Sequence, residues 1–165
     1  MKNLLVFLAM ILIMSSCHNS IDKKVRQVEP DIYNLTSEDK EMNNAIIKAK
    51  KSFNEFIIAL TKPTKSQNGF SVKVPFKFDN GNEHIWISDV QLDSGKMIGF
   101  VGNVPDKIKN LTIGQKITID KDNISDWMYL DSNVLVGGFT IRVLYSRMSE
   151  AEKKQFESEN QIIIK

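Results

Sequence analysis

The sequence predicts an α+β fold, in which one long N-terminal helix packs on a bent antiparallel sheet of five or six strands that could curl into an open barrel. Three observations carry this. Apolar residues recur with a helical period from Met42 to Leu60, the period changes to two from Phe70 onward, and short apolar runs separated by Gly, Asn, Asp and Pro then follow to about residue 145.

The helix is expected to begin at Thr36-Ser37-Glu38-Asp39, where a hydroxyl followed three residues later by an acid makes a capping box. Met42, Ala45, Ile46, Ala49, Phe53, Phe56, Ile57 and Leu60 form its apolar stripe, Lys48, Lys50, Lys51 and Asn54 its opposite side, and Pro63 its end. The stripe is read as the face that packs on the domain's own sheet. Phe70, Val72, Val74, Phe76 and Phe78 then alternate with Ser71, Lys73, Pro75 and Lys77, and Asp79-Asn80-Gly81-Asn82 turns the chain into a second strand from Glu83 to Val90. Pro75 cannot donate to a ladder and belongs at an edge or a bulge. Further strands are expected at Met97–Val101, Gln115–Ile119, Trp127–Leu130 and Gly138–Tyr145, and a short helix capped by Ser149 over Ser149–Ser158. There is no internal repeat or low-complexity tract.

Ahead of this domain, expected to span residues 36–165, stands a leader. Lys2 precedes the apolar run Leu4–Met14, which is too short for a permanent membrane span. The run ends in Met14-Ser15-Ser16-Cys17, which resembles a lipobox with Met where Leu is usual. Residues 1–16 are therefore read as a lipoprotein signal peptide, Cys17 as the lipidated residue that partners the membrane, and residues 17–35, with Lys23, Lys24, Arg26 and Pro30, as a tether. Cleavage before Cys17 removes sixteen of the 165 residues and lowers the net charge from +2 to +1. No nucleic-acid partner follows from so small a charge. Cys17 is the only cysteine, so once acylated it leaves no thiol for a disulfide, a redox couple or a zinc site. His18 after the cysteine, where Asp is associated with inner-membrane retention, favours the outer membrane; the side faced is open.

Five motifs stand in order along the predicted sheet: Glu83-His84-x-Trp86, Gly99-x-x-x-Asn103-x-Pro105, Gly114-x-x-Ile117, Asp126-Trp127-Met128-Tyr129 and Gly137-Gly138-x-Thr140. Together they resemble the bacterial domain family of unknown function DUF2314, also called YegJ-like, over a core of about residues 70–145. The resemblance implies a small α+β domain with no established activity.

The candidate site comes from the same motifs. His84, Trp86 and Ser88 share one face of their strand, while Glu83 points to the other. If Ile85 and Ile87 enter the core, Trp86 looks outward as an aromatic anchor for binding; in the opposite register Trp86 is core. His84 and Ser88 stand about 13 Å apart along the strand and cannot touch. Asp126 is either a partner for His84 or the cap of a turn, and Gly137-Gly138 gives a bulge or a close approach without the Lys-Ser/Thr of a phosphate loop. The histidines are far apart, so neither a metal site nor a cofactor is expected, and no catalytic residue is assigned. Three functions are consistent with this. The first is a lipid-anchored, non-enzymatic binding module that meets an envelope protein through Glu83, His84, Trp86, Asn103, Asp126, Trp127 and Thr140. The second is a structural envelope protein, and the third a hydrolase using His84, Glu83 and Asp126.

Overall fold

The computed structural model describes residues 39–165. The expected signal peptide, the expected lipidation at Cys17, the expected tether and the Thr36–Glu38 part of the expected capping box lie outside the described residues. Helix α1 runs Lys40–Thr61, and its cap is Asp39, whose carboxylate accepts from Met42 N–H at 3.1 Å. The helix thus starts three residues after the expected hydroxyl cap, because the acid of the box does the capping itself.

Six strands follow: β1 (Gln67–Phe78), β2 (Gly81–Asp93), β3 (Lys96–Val101), β4 (Lys116–Ile119), β5 (Asp126–Asp131) and β6 (Val134–Gly137). They form one antiparallel sheet in the order β4-β3-β2-β1-β5-β6, which ends in two separate edges and does not close into a barrel. Pairing β5 with β1 takes the chain from one side of the sheet to the other, through a single 3-10 turn at Lys121–Asn123. Two register shifts bend the sheet, one between Asn68 and Ser71 on β1 and one between Ser88 and Gln91 on β2. At the second, β3 comes so near that a side-chain carbon on Gly99 would lie 2.7 Å from Ile87 Cγ2, so only glycine fits.

The expected strand at Gly138–Tyr145 is instead helix α2 (Phe139–Ser146), and the last strand is β6, four residues earlier. Gly137 and Gly138, at φ of 72° and 60°, end β6 with left-handed backbone. The N–H groups of Phe139 and Thr140 are then taken by Asp126 on β5. This cap from another element outweighs the strand propensity of Thr140, Ile141 and Val143. The final helix α3 (Glu150–Asn160) matches expectation, with Ser149 and Glu152 forming a reciprocal capping box.

The sheet is covered on both faces. Over one lies α1, with Ala49, Phe56 and Ala59 against Val72, Val74, Ile85, Ile87 and Trp127. Trp127 is central here: its ring lies 5.8 Å from Phe56 and 5.6 Å from Phe139, and Nε1–H donates to Ala49 O of α1 at 2.9 Å. Over the other face, α2, α3 and the following residues bring Ile141, Phe156 and Ile162 against Trp86, Met128, Leu130 and Leu135. Each of these large apolar side chains contributes about 1.5–3 kcal/mol by leaving water.

Candidate functional site

Antiparallel pairing sets three motif strands side by side. Lys73 on β1 stands opposite Trp86 on β2 and opposite Asp126 on β5, so the three form a row across the second face of the sheet. All three are buried: Lys73 is 5% exposed, Trp86 4% and Asp126 0%. Lys73 Nζ lies over the Trp86 ring, 5.6 Å from its centroid, an arrangement that a desolvated cation and a π face both favour. The two registers considered for Trp86 are therefore both half right. Ile85 and Ile87 enter the α1 core, and Trp86, facing the other way, is buried under the second layer.

Asp126 is held by four donors. Its Oδ1 accepts from Trp127 N–H at 2.8 Å and Phe139 N–H at 3.1 Å, and its Oδ2 from Thr140 N–H and Thr140 Oγ1, both at 2.7 Å. Burial pushes this carboxyl above the ordinary carboxylate range, while the Thr140 and Trp127 donors and the Lys73 charge pull it back. Asp126 and Thr140 are thus brought into direct contact, as the cap of α2. Trp127 points to the other face.

Glu83 also serves as a clamp. Its carboxylate accepts from three successive backbone N–H groups, Asp106 at 2.6 Å, Lys107 at 2.9 Å and Ile108 at 3.0 Å. Asn103 adds a second fastening: its Oδ1 accepts from Trp86 N–H at 2.8 Å, while Gly102 N–H donates to Trp86 O, also at 2.8 Å. Between these two points Val104 stands 70% exposed.

His84 is half-buried, and its Nδ1 lies 2.9 Å from Ser125 Oγ. The Ser125 hydroxyl also reaches Lys73 O at 3.1 Å, so Ser125 links His84 to the backbone of β1. Among the described residues, no group of three or more His, Cys, Asp or Glu side chains could hold a metal ion.

Two residues of this arrangement escaped the sequence reading. Lys73 sits in the alternation Ser71, Lys73, Pro75, which reads as the solvent side of a strand. Ser125 reads as part of a turn. Only the strand order, with β1 between the two Trp-bearing strands, reveals the place of Lys73.

Comparison with known proteins places the chain in a family. Residues 39–162 match the family described as "Uncharacterized protein conserved in bacteria (DUF2314)". The chain is 38% identical over 100 residues to "Uncharacterized protein YegJ" of Escherichia coli (strain K12), covering 61% of this chain and 64% of that protein. It is 31% identical over 136 residues to a Neisseria meningitidis serogroup B protein named "Putative ankyrin repeat protein", covering 77% of this chain and 53% of that protein. The chain thus spans less than two thirds of the length of either relative. No solved structure shows a significant match. With the match running from the cap of α1 to the residues beyond α3, and with the motif side chains fastening β2 to its loop and β5 to α2, the chain belongs to the DUF2314 family of bacterial proteins.

Proposed function

We propose that this is a lipid-anchored cell-envelope protein that acts as a non-enzymatic interaction module, and that its envelope protein partner is met at the loop from Asn103 to Ile108. The observation that carries the reading is the Glu83 clamp. A single carboxylate holds three consecutive loop N–H groups, and Asn103 fixes the near end, so the crest at Val104 is ordered before any partner arrives. A preordered apolar crest loses little conformational freedom on binding, which favours affinity.

Other features support the same choice. The groups that an acid–base mechanism would use are engaged in the fold: Glu83 with its loop, Asp126 with α2, and His84 with Ser125. Of the seven motif residues, Glu83, His84 and Asn103 reach the surface, while Trp86, Asp126, Trp127 and Thr140 act by holding the others in place. Membrane attachment is assigned to Cys17 on the strength of the lipobox-like Met14-Ser15-Ser16-Cys17.

The test is a photo-crosslinking amino acid at Val104, in the lipidated protein in cells, beside the same group at Leu92. A specific adduct from position 104, absent from position 92 and weakened roughly tenfold by Glu83→Ala, is expected, tenfold being the effect of about 1.4 kcal/mol of lost loop order. Equal adducts from both positions, or none, would overturn the loop as the binding surface.

A further inference from the structure

The side of α1 turned away from the sheet carries chemistry that neither the core nor the Val104 loop uses. At about 100° per residue, Ile47, Asn54 and Ile58 fall close to one line along the helix, with three turns between the two isoleucines. Ile47 is 49% exposed and Ile58 63%. Within roughly 60° of that line stand Lys40, Lys50 and Lys51, with Asn43, Asn44 and Thr61 and no carboxylate. Glu41 and Glu55 fall outside the stripe, and Glu41 is paired with Arg147 at 2.9 Å.

We propose that α1 docks by this face on an anionic lipid surface. The lysines would reach phosphate headgroups while Ile47 and Ile58 enter the boundary of the acyl chains, the arrangement by which a cationic helix face lies in a membrane interface. A protein groove fits the stripe less well. Helix-in-groove recognition uses apolar anchors at i, i+3 or i+4 and i+7, and here the outward positions between Ile47 and Ile58 are polar or charged.

The proposal rests on the lipid-anchored reading for its strength. From Cys17 to Asp39 the chain has 22 peptide steps, which span at most about 75 Å extended and about 26 Å as a flexible chain. That is comparable to the length of α1, about 33 Å. A domain tethered by so short a chain meets the bilayer at an effective concentration of order millimolar, and a contact too weak to hold a diffusing protein is then occupied. Docking through α1 also turns the opposite layer, with α3, away from the membrane.

The experiment uses the full lipidated chain in vesicles of phosphatidylcholine, with or without phosphatidylglycerol. An environment-sensitive thiol dye is placed at Asn54→Cys on the stripe, or at Leu92→Cys near the end of β2. Because an acylated Cys17 cannot react, the number of dyes per chain reports the anchor independently of the emission. The expected result is one dye per chain and a blue shift at position 54 on anionic vesicles alone, reversed by salt and lost in Lys50→Glu/Lys51→Glu, with position 92 unmoved. One dye with water-like emission at position 54 on anionic vesicles would overturn the docking face and leave the anchor. Two dyes with a blue shift would overturn the anchor and leave the face. A shift that survives the double charge reversal, or that needs an added protein extract, would also overturn the lipid assignment.

Discussion

Asp126 joins parts of the chain that have no other reason to meet. Its carboxylate stands where α2 would otherwise present bare N–H groups, since Gly138 at the helix cap has no side chain to offer. It is also wholly buried, so removing it strands donors that water cannot reach. Asp126→Ala should therefore cost about 3 kcal/mol or more, the sum of a lost cap and of buried groups left without acceptors. Asp126→Asn should do little better, because its amide would turn two N–H donors toward a site already lined with donors. Urea unfolding of the three proteins measures this, and a loss below about 1 kcal/mol in the alanine variant would show that α2 does not depend on the cap. The same residue explains why the site was only partly legible. Asp126 and Thr140 stand in motifs visible in the sequence, yet their contact needs β5 beside the start of α2, and α2 itself reads as a strand. Lys73 was illegible for a related reason. Its face of the sheet is covered by Phe156 and Ile162, more than eighty positions downstream, and nothing near Lys73 announces that cover.

At the scale of elements, α1 was legible and α2 was not because one is specified locally and the other from a distance. The stripe from Met42 to Leu60 has the period of the face it buries, whereas the eight residues of α2 are rich in β-branched side chains and take their start from Asp126. The two helices are tied at one end by Arg147, which donates to Asp39 at 2.7 and 2.9 Å and to Glu41 at 2.9 Å. The Arg147 guanidinium and the Met42 N–H hold the Asp39 carboxyl at about 2, below its ordinary 3.8. A carboxyl lowered on folding adds stability that is present above the unfolded value and is lost as pH falls through the folded one. Stability should therefore decline as pH drops from 3.8 toward about 2, and Arg147→Met should flatten that part of the curve. Asp126 works with the opposite sign, since burial raises it and its contribution falls as pH rises above its unfolded value. It is common to both proteins and cancels in the comparison. Urea midpoints across acid pH provide the check, and parallel curves for wild type and Arg147→Met would show that the ion pair adds nothing. Its partial exposure keeps the expected effect modest.

For the whole molecule, a sheet covered on both faces gives the family motifs their place. Glu83, Asn103, Asp126 and Thr140 make long-range fastenings, and Trp86 and Trp127 fill opposite layers, so the features that make the chain recognisable are those that hold its layers together. Under the proposed reading, what distinguishes the protein functionally is its surface and its delivery. On that same reading, Lys2, the apolar run to Met14 and Cys17 form one signal that brings α1 to the membrane by its N-terminal end. Several acyl chains on one cysteine hold a protein firmly where a single chain does not. Cys17→Ala should consequently leave the folded domain unaltered and move the protein out of the membrane fraction, or stall it as an uncleaved precursor. Fractionation with intact-mass measurement reads both outcomes. The α1 face alone should retain only a salt-sensitive remainder, because exposed charge contacts are screened beyond about 10 Å at 0.1 M salt and the tether no longer supplies the local concentration. A variant still cleaved and still membrane-bound at high salt would refute the anchor at Cys17.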